Sequence, residues 1–305
     1  MHWYTGRKIY LEYNMILALL KKEDVFFSEK VDSLIRRDKK YVFPYSPAHI
    51  EEVATIYQDC KDKNKAKEYV KEHLNFISVI SDNLEFLPND FFSKKPRIIK
   101  EHPCGCMQRV INMYNLTLFA QKNEEFLMSC RTRKEYEAFI KQNPEFSNFA
   151  DGKITNDEFQ EMAKINKTSL CEIAPLDIFN SSKLQMIVNK KLKLSNRYGG
   201  YKSLKGILSI NDIPRYATIK DDHPAKEEII NFLIKSLHSA GYHSEHKNKS
   251  RSFMHDISHA IYASKADFLV NDDNASRQKV KAVYAFLNIP CIVLSKQEFI
   301  EQNFQ

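Results

Sequence analysis

Acidic residues recur in this 305-residue sequence at the places where a predicted strand ends or a predicted helix begins. In an open parallel α/β sheet, ligands bind at the carboxyl ends of the strands, so acids at these places are expected to converge. Carboxylate oxygens suit Mg²⁺ and Mn²⁺, and ions held in this way activate water and stabilise charge on a scissile phosphate. The candidate acids are Glu12, Glu52 or Glu51, Asp256, and Asp273 or Asp272.

The stretch FMHDISHAIYASKADFLVNDD, residues 253–273, holds two of these positions. Ile257, Ala260, Ile261 and Ser264 recur at i, i+3, i+4 and i+7, which predicts one face of a helix. Asp256 lies just beside that face. The run ADFLV is short and apolar, and its flanks favour a strand that ends at the acidic sequence NDD.

The predicted helix after the second strand, in SPAHIEEVATIY, has its own apolar stripe starting at Ile50. His49 and Glu52 flank this stripe in the same register that Asp256 and His259 hold in the late helix. Each helix therefore presents a polar i, i+3 pair on the same edge. The two histidines are secondary candidates for phosphate contact or proton transfer, with hydrogen bonding at the edge of a helix as the alternative.

The order of elements predicts an α/β fold. The runs KIYL and YVF read as strands, each followed by a helical segment, and this βαβα alternation indicates a parallel sheet. Helix-like segments without a second βα rhythm fill residues 61–223. We therefore expect one α/β domain, a parallel twisted sheet flanked by helices, formed by residues 1–60 and 224–305 and interrupted by a mainly α-helical insertion over residues 61–223.

A basic stretch runs from Lys183 to Lys205, with tyrosines interleaved. Such a stretch could contact the phosphates of a nucleic acid, although a solvated helix face is the commoner explanation of a lysine-rich segment. The candidate nucleic-acid-binding residues are Lys190, Lys191, Lys193, Arg197, Lys202 and Lys205.

The overall composition limits the class of protein. Hydrophobic residues make up 43% and charged residues 28%, which excludes general disorder. The formal net charge of +7 permits a polyanionic partner without requiring one. Six cysteines without framework spacing favour a reducing compartment, and there is no apolar run of the length that a membrane span needs. We expect a cytoplasmic protein without a membrane association.

Three segments resemble the PIN-domain nucleases: IYLEYNMILAL, FPYSPAHIEEVA and HDISHAIYASKADFLVNDDN. The resemblance covers both ends of the chain and none of the middle. Asn14 follows the family pattern, whereas Glu12 stands where the family usually has Asp, and Tyr13 where a small residue is common. The resemblance implies a PIN-like fold whose metal-binding catalytic acids are Glu12, Glu52, Asp256 and Asp273.

The function that the resemblance implies is that of a metal-dependent endoribonuclease using Mg²⁺ or Mn²⁺. RNA is the expected substrate, with DNA less favoured, and the insertion would select it. Intracellular proteins similar to this family act as toxins or antiviral defence effectors, a setting that includes a regulatory protein partner. The alternatives are a PIN-like module that binds RNA or protein without cleaving, and a structure-specific DNA nuclease.

Overall fold

The computed structural model describes residues 6–37, 40–88, 94, 97–111, 133–142, 170–198, 200–243 and 250–304. The chain divides into two compact units. The first comprises residues 1–113, 258–277 and 290–305, and the second comprises residues 114–257 and 278–289. The first unit contains a parallel sheet, whereas the described part of the second unit is helical.

Four strands form the main sheet, in the order β2-β1-β5-β6, and every neighbouring pair is parallel. A separate antiparallel hairpin pairs β3 with β4. This arrangement confirms the predicted α/β class with a parallel sheet flanked by helices. Within the described residues the strands are β1 (Arg7–Leu11), β2 (Tyr41–Val42), β3 (Leu84–Leu87), β4 (Arg97–Lys100), β5 (Phe268–Val270) and β6 (Ile292–Leu294).

Helices connect and cover these strands. The described helices are α1 (Tyr13–Leu20), α2 (Val25–Ile35), α3 (Pro47–Asp59), α4 (Lys63–Ser81), α5 (residues 103–111), α6 (Arg133–Gln142), α7 (Ser182–Tyr198), α8 (Tyr216–Ile219), α9 (His223–Ser239), α10 (Ser250–Ala263), α11 (Asn274–Leu287) and α12 (Lys296–Glu301). Short 3₁₀ turns lie at Leu170–Glu172, Ile178–Asn180, Lys202–Leu204 and Ile210–Asp212. Among the helices that the structure describes, none combines the length and the apolar character that crossing a bilayer requires.

Three strands of the main sheet end in line with one another. Leu11 is in register with Val270, and Val270 with Leu294. The ladder continues one residue further, because the Glu12 amide donates to the Val270 carbonyl and the Asn271 amide donates to the Leu294 carbonyl, each at 3.0 Å. The residues that follow these strands therefore leave the sheet at one edge, where ligands bind in parallel α/β folds.

The first unit also contains chain beyond residue 60, while the predicted domain bounds stay a prediction. The described residues of this unit after residue 60 include α4, α5 and the β3-β4 hairpin. Tyr45 links the hairpin to the segment after β2, since its amide donates to the Leu84 carbonyl at 2.9 Å and its carbonyl accepts from the Phe86 amide at 2.7 Å. Residues 112–132 and 143–169 lie outside the described part of the chain, so a helical insertion stays a prediction.

The second unit has its own apolar core. Helices α7 and α9 pack on each other through apolar positions at helical spacing, which is the pattern that predicts buried faces. Buried side chains from these two helices are Leu184, Ile187, Val188, Leu192, Ile229, Ile230, Leu233, Ile234 and Leu237.

Candidate metal centre

Three side chains at the edge of the sheet could hold one cation. Glu12, Glu52 and His259 each offer a ligand atom, and these atoms lie within 4.8 Å of one another. Glu12 is only 2% exposed and His259 only 1% exposed, while the Glu52 side chain is 20% exposed. The first two residues are therefore almost enclosed by protein, and Glu52 faces water in part.

Glu12 owes its position to the junction between β1 and α1. Its backbone continues the sheet ladder, and its side chain caps α1 by accepting from the Asn14 amide at 3.0 Å. The Asn14 side-chain amide donates to the other carboxylate oxygen at 3.3 Å. Asn14, a secondary candidate from the sequence, thus lies beside Glu12 and orients its carboxylate.

His259 joins Glu52 to the interior of the first unit. Its Nε2 lies 2.7 Å from Glu52 Oε1, and its Nδ1 lies 2.7 Å from the Tyr10 hydroxyl. A carboxylate only accepts hydrogen bonds, so Nε2 carries the proton and Nδ1 accepts from Tyr10. Burial lowers the pKa of His259 to about 3. The ring is therefore a neutral imidazole at physiological pH.

Tyr10 is the buried partner that orients this ring. It is fully buried, and its hydroxyl lies 2.6 Å from the Ser46 hydroxyl. Because the Tyr10 proton points to His259, the Ser46 hydroxyl donates to the Tyr10 oxygen. Burial raises the pKa of Tyr10 well above its usual range, and the negative charges of Glu12 and Glu52 add to this effect. Tyr10 therefore remains a protonated phenol.

His49 has a structural role next to the site. Its Nδ1 accepts from the Ser46 amide at 3.0 Å as part of the capping box of α3. Its Nε2 then carries the proton and donates to the Leu11 carbonyl at 2.7 Å. Burial and, to a smaller extent, the nearby His259 lower the pKa of His49 to about 3. His49 thus fixes the end of β1, which is where Glu12 begins.

The donor set fits a divalent cation. Ligand atoms bonded to one ion at about 2.1 Å lie no more than about 4.2 Å apart, and the three ligand atoms, all within 4.8 Å of one another, come close to that spacing. Two carboxylates this close repel each other unless positive charge lies between them. An imidazole and two carboxylates are chemically suited to such an ion.

The acids predicted after β5 have hydrogen-bond partners of their own in the first unit. Asp273 Oδ1 accepts from the Ser276 amide at 2.8 Å, which caps the start of α11. Asp272 is exposed, and its Oδ1 accepts from the Lys296 amide at 3.3 Å. Neither belongs to the three-residue group found among the described residues. The buried Asn271 binds both the Asp273 amide and the Ser276 hydroxyl, which orders this turn.

Two further predicted acids also fall outside the group. Asp256 is half-buried on α10, one helical turn before His259. Glu51 is half-buried on α3, next to Glu52. Of the two glutamates that the sequence left open on α3, Glu52 is the one that the structure brings to Glu12 and His259. Metal binding by Asp256 and Asp273 stays a prediction.

The predicted basic surface in the second unit needs one correction. Lys191 is buried, and its ammonium donates to the Lys235 carbonyl at 3.2 Å and to the Ser239 hydroxyl at 3.1 Å. It cannot contact a nucleic acid, because it lies on the apolar face of α7. Tyr201 packs edge-on against Phe232 with 5.7 Å between ring centroids. The other basic candidates are exposed: Lys190, Lys193, Arg197, Lys202 and Lys205.

Burial of Lys191 predicts a specific dependence of stability on pH. Burial lowers the pKa of this amine to about 7 in the folded protein. Above pH 7 the folded protein therefore loses this proton, whereas the unfolded chain keeps it up to its ordinary pKa of about 10.4. The free energy of unfolding of the wild type should therefore rise, relative to that of Lys191→Met, as the pH increases from 7 to 9. Urea unfolding of both proteins at each pH measures this difference, and a constant difference would contradict the prediction.

The sequence contained little that pointed to the hydrogen-bond partners at this site. Tyr10 and Ser46 were missed as site residues. Tyr10 in a predicted buried strand is explained by packing, and Ser46 before a predicted helix is explained by helix capping. Comparisons with protein-family models, characterised proteins and solved structures found no match. The chemistry of this site therefore rests on the geometry of its own residues.

Proposed function

We propose that this chain is a metal-dependent endoribonuclease with a PIN-like fold. The observation that carries the proposal is the group of Glu12, Glu52 and His259 next to the carboxyl end of β1. Two carboxylates and an imidazole at that edge of a parallel sheet are suited to cation-assisted hydrolysis of a phosphodiester. Mg²⁺ and Mn²⁺ are the ions that this chemistry commonly uses.

Each residue of the group has a distinct task in this proposal. Glu12 and Glu52 supply the negative charge that holds a divalent cation, and His259 supplies a neutral nitrogen ligand. Asn14 keeps the Glu12 carboxylate in place through two hydrogen bonds. A cation bound there would lower the pKa of water and neutralise charge on the phosphate oxygens. The burial of Glu12 and His259 strengthens these electrostatic interactions.

RNA is the proposed substrate because of the resemblance to the PIN-domain nucleases. The net charge of +7 and the exposed basic residues of the second unit favour a polyanion. In this proposal the protein cuts cellular RNA as a toxin or antiviral defence effector, and a protein partner regulates it.

The experiment that tests the function is a cleavage assay on single-stranded RNA, structured RNA, single-stranded DNA and duplex DNA. Each substrate is incubated with Mg²⁺, Mn²⁺ or a chelator. We expect cleavage of RNA within the strand that depends on the metal and stops with the chelator. Cleavage of DNA alone would replace the proposal with a DNA nuclease, and RNA binding without cleavage under any metal would replace it with a binding module.

Two variants in the same assay test the acids that lie outside the group. Asp256→Asn and Asp273→Asn each remove a charge and preserve side-chain size. Loss of cleavage in either variant, with unchanged thermal unfolding, would add that residue to the metal site. Wild-type activity in both would restrict the site to the three residues that the geometry brings together.

A further inference from the structure

His259 is the residue of the candidate metal centre that offers a nitrogen ligand, whereas Glu12 and Glu52 offer oxygen ligands. Its Nε2 faces Glu52 Oε1 at 2.7 Å, and its Nδ1 is held by the Tyr10 hydroxyl at the same distance. Both nitrogens are therefore placed by neighbouring groups, and the ring is buried. In proteins, a histidine that binds a metal through one nitrogen is oriented by a hydrogen bond at the other.

We propose that His259 binds the cation through Nε2 while Tyr10 holds Nδ1, and that this pairing makes the site prefer a first-row transition ion such as Mn²⁺ over Mg²⁺. The inference rests on the proposed function, since it assigns the metal of that same site. Tyr10 is a positioning residue in this arrangement, because it acts on the metal only through His259.

The two hydroxyls next to His259 can reverse their hydrogen bonds when the metal binds. Without a metal, the Ser46 hydroxyl donates to Tyr10, Tyr10 donates to Nδ1, and Nε2–H donates to Glu52. With a metal on Nε2, the ring carries its proton on Nδ1 and donates to the Tyr10 oxygen. Tyr10 then donates to Ser46, whose own proton turns to His49 Nδ1, 3.3 Å away, and shares that acceptor with the Ser46 amide.

This reversal keeps the number of protons unchanged. The imidazole is neutral before and after binding, with its proton moved from Nε2 to Nδ1, and the two hydroxyls only rotate. A phenylalanine at position 10 could neither donate to Nδ1 in the first state nor accept from it in the second. The hydroxyl of Tyr10 is therefore the group that lets the ring present a free Nε2.

The nitrogen ligand explains the preference among metals. Mg²⁺ takes oxygen ligands in strict octahedral geometry and retains several waters, whereas imidazole suits transition ions. The carboxylates of Glu12 and Glu52 serve either ion, so His259 makes the difference. We expect Mn²⁺ to bind at least about tenfold more tightly than Mg²⁺.

The test measures metal binding without any nucleic acid. Titration calorimetry gives the affinity of the full chain for Mn²⁺ and Mg²⁺, and pulsed electron paramagnetic resonance detects ¹⁴N coupled to bound Mn²⁺. The matched control is Tyr13→Phe, because the Tyr13 hydroxyl also lies 2.7 Å from a histidine Nδ1, that of His73, outside the metal group. Circular dichroism and thermal unfolding check the fold of each variant.

We expect the wild type to show an imidazole ¹⁴N coupling that His259→Gln lacks. Tyr10→Phe should weaken Mn²⁺ binding by about 10–100-fold, as the loss of a ligand's hydrogen-bond partner does, and Tyr13→Phe should bind like the wild type. Should Tyr10→Phe fail to fold, the comparison of the wild type with His259→Gln decides whether His259 is a ligand.

The outcomes separate this inference from the proposed function. Mn²⁺ bound without ¹⁴N coupling, Mn²⁺ and Mg²⁺ bound equally, or equal affinities in the two tyrosine variants would overturn the inference and leave the nuclease proposal standing. Mn²⁺ bound through nitrogen by a protein that cuts no nucleic acid would support the inference and end the nuclease proposal. A wild type that binds neither ion would overturn both.

Discussion

Replacing Glu52 by glutamine is expected to reduce metal-dependent cleavage by at least about 100-fold, beyond the range seen when only a ligand's hydrogen-bond partner is lost. Glutamine has nearly the same shape, and its carbonyl can still accept from His259 Nε2, which lies 2.7 Å from Glu52 Oε1. The substitution removes the negative charge that the proposed cation requires next to Glu12. The measurement is kcat/KM on the best RNA substrate, at metal concentrations that saturate the wild type.

The neighbouring residue on α3 provides a matched control. Glu51→Gln makes the same chemical change at a half-buried position that lies outside the metal group. We expect this variant to cleave at close to the wild-type rate and to unfold at a similar temperature. Equal losses of cleavage in both variants would mean that the total negative charge near α3 determines activity, and that Glu52 is not a specific metal ligand. A selective loss in Glu51→Gln would assign the role to that residue instead.

The position of Glu12 at the edge of the sheet could be predicted from the sequence, because a short apolar strand pattern in a parallel sheet allows few other arrangements. The run KIYL has the length and residue types of a buried strand, and a parallel sheet brings the residues after its strands to one edge. The structure has Glu12 at that edge, continuing the ladder with Val270. The apolar residues that identify the strand in the sequence are also the residues that bury it in the sheet, so the same pattern predicts both the strand and the place where it ends.

Sequence patterns do not separate two possible roles of the acids after β5, metal binding and helix capping. A residue that ends a strand also precedes the next helix, and at that position a carboxylate caps the helix equally well. Asp273 caps α11 through the Ser276 amide, and Asn271 binds the same turn. Which task an acid performs depends on distances to residues far away in sequence, and periodicity carries no information about these.

His259 could be predicted only as a secondary candidate for a related reason. Its register on the late helix showed that it shares an edge with Asp256, but a histidine at such an edge more commonly forms an ordinary hydrogen bond. What distinguishes it is Glu52, 207 positions away in sequence, together with Tyr10 on β1. A single sequence does not reveal long-range pairs of this kind.

A second cluster of charged side chains lies in the first unit, on β3 and α5. Glu85 on β3 is fully buried, and both of its carboxylate oxygens accept from Arg109 Nη2 on α5, at 2.7 and 2.8 Å. The other terminal nitrogen of Arg109 binds Glu101 at 2.6 Å, and the Tyr45 hydroxyl lies 3.1 Å from Glu85. Burial raises the pKa of Glu85, and Arg109 opposes that shift.

Arg109→Met is expected to lower the free energy of unfolding by about 3 kcal/mol at pH 7, because it leaves the Glu85 charge buried without its cation. Methionine keeps most of the apolar stem, so the change isolates the guanidinium. Urea unfolding measures the difference. Glu101→Gln is the control, since Glu101 is partly exposed and a pair of that kind contributes about 1 kcal/mol or less.

The loss in Arg109→Met should also grow as the pH rises. The pKa of Glu85 in the unfolded chain is about 4.3. In the folded protein the pKa of Glu85 lies above that value. The folded state therefore holds this proton more tightly, and its stability falls as the pH rises from the unfolded pKa to the folded one. Without Arg109 the folded pKa rises further, which extends this fall to higher pH. The gap between variant and wild type should then be larger at pH 8 than at pH 5, and a gap that is equal at both would show that the loss comes from packing instead.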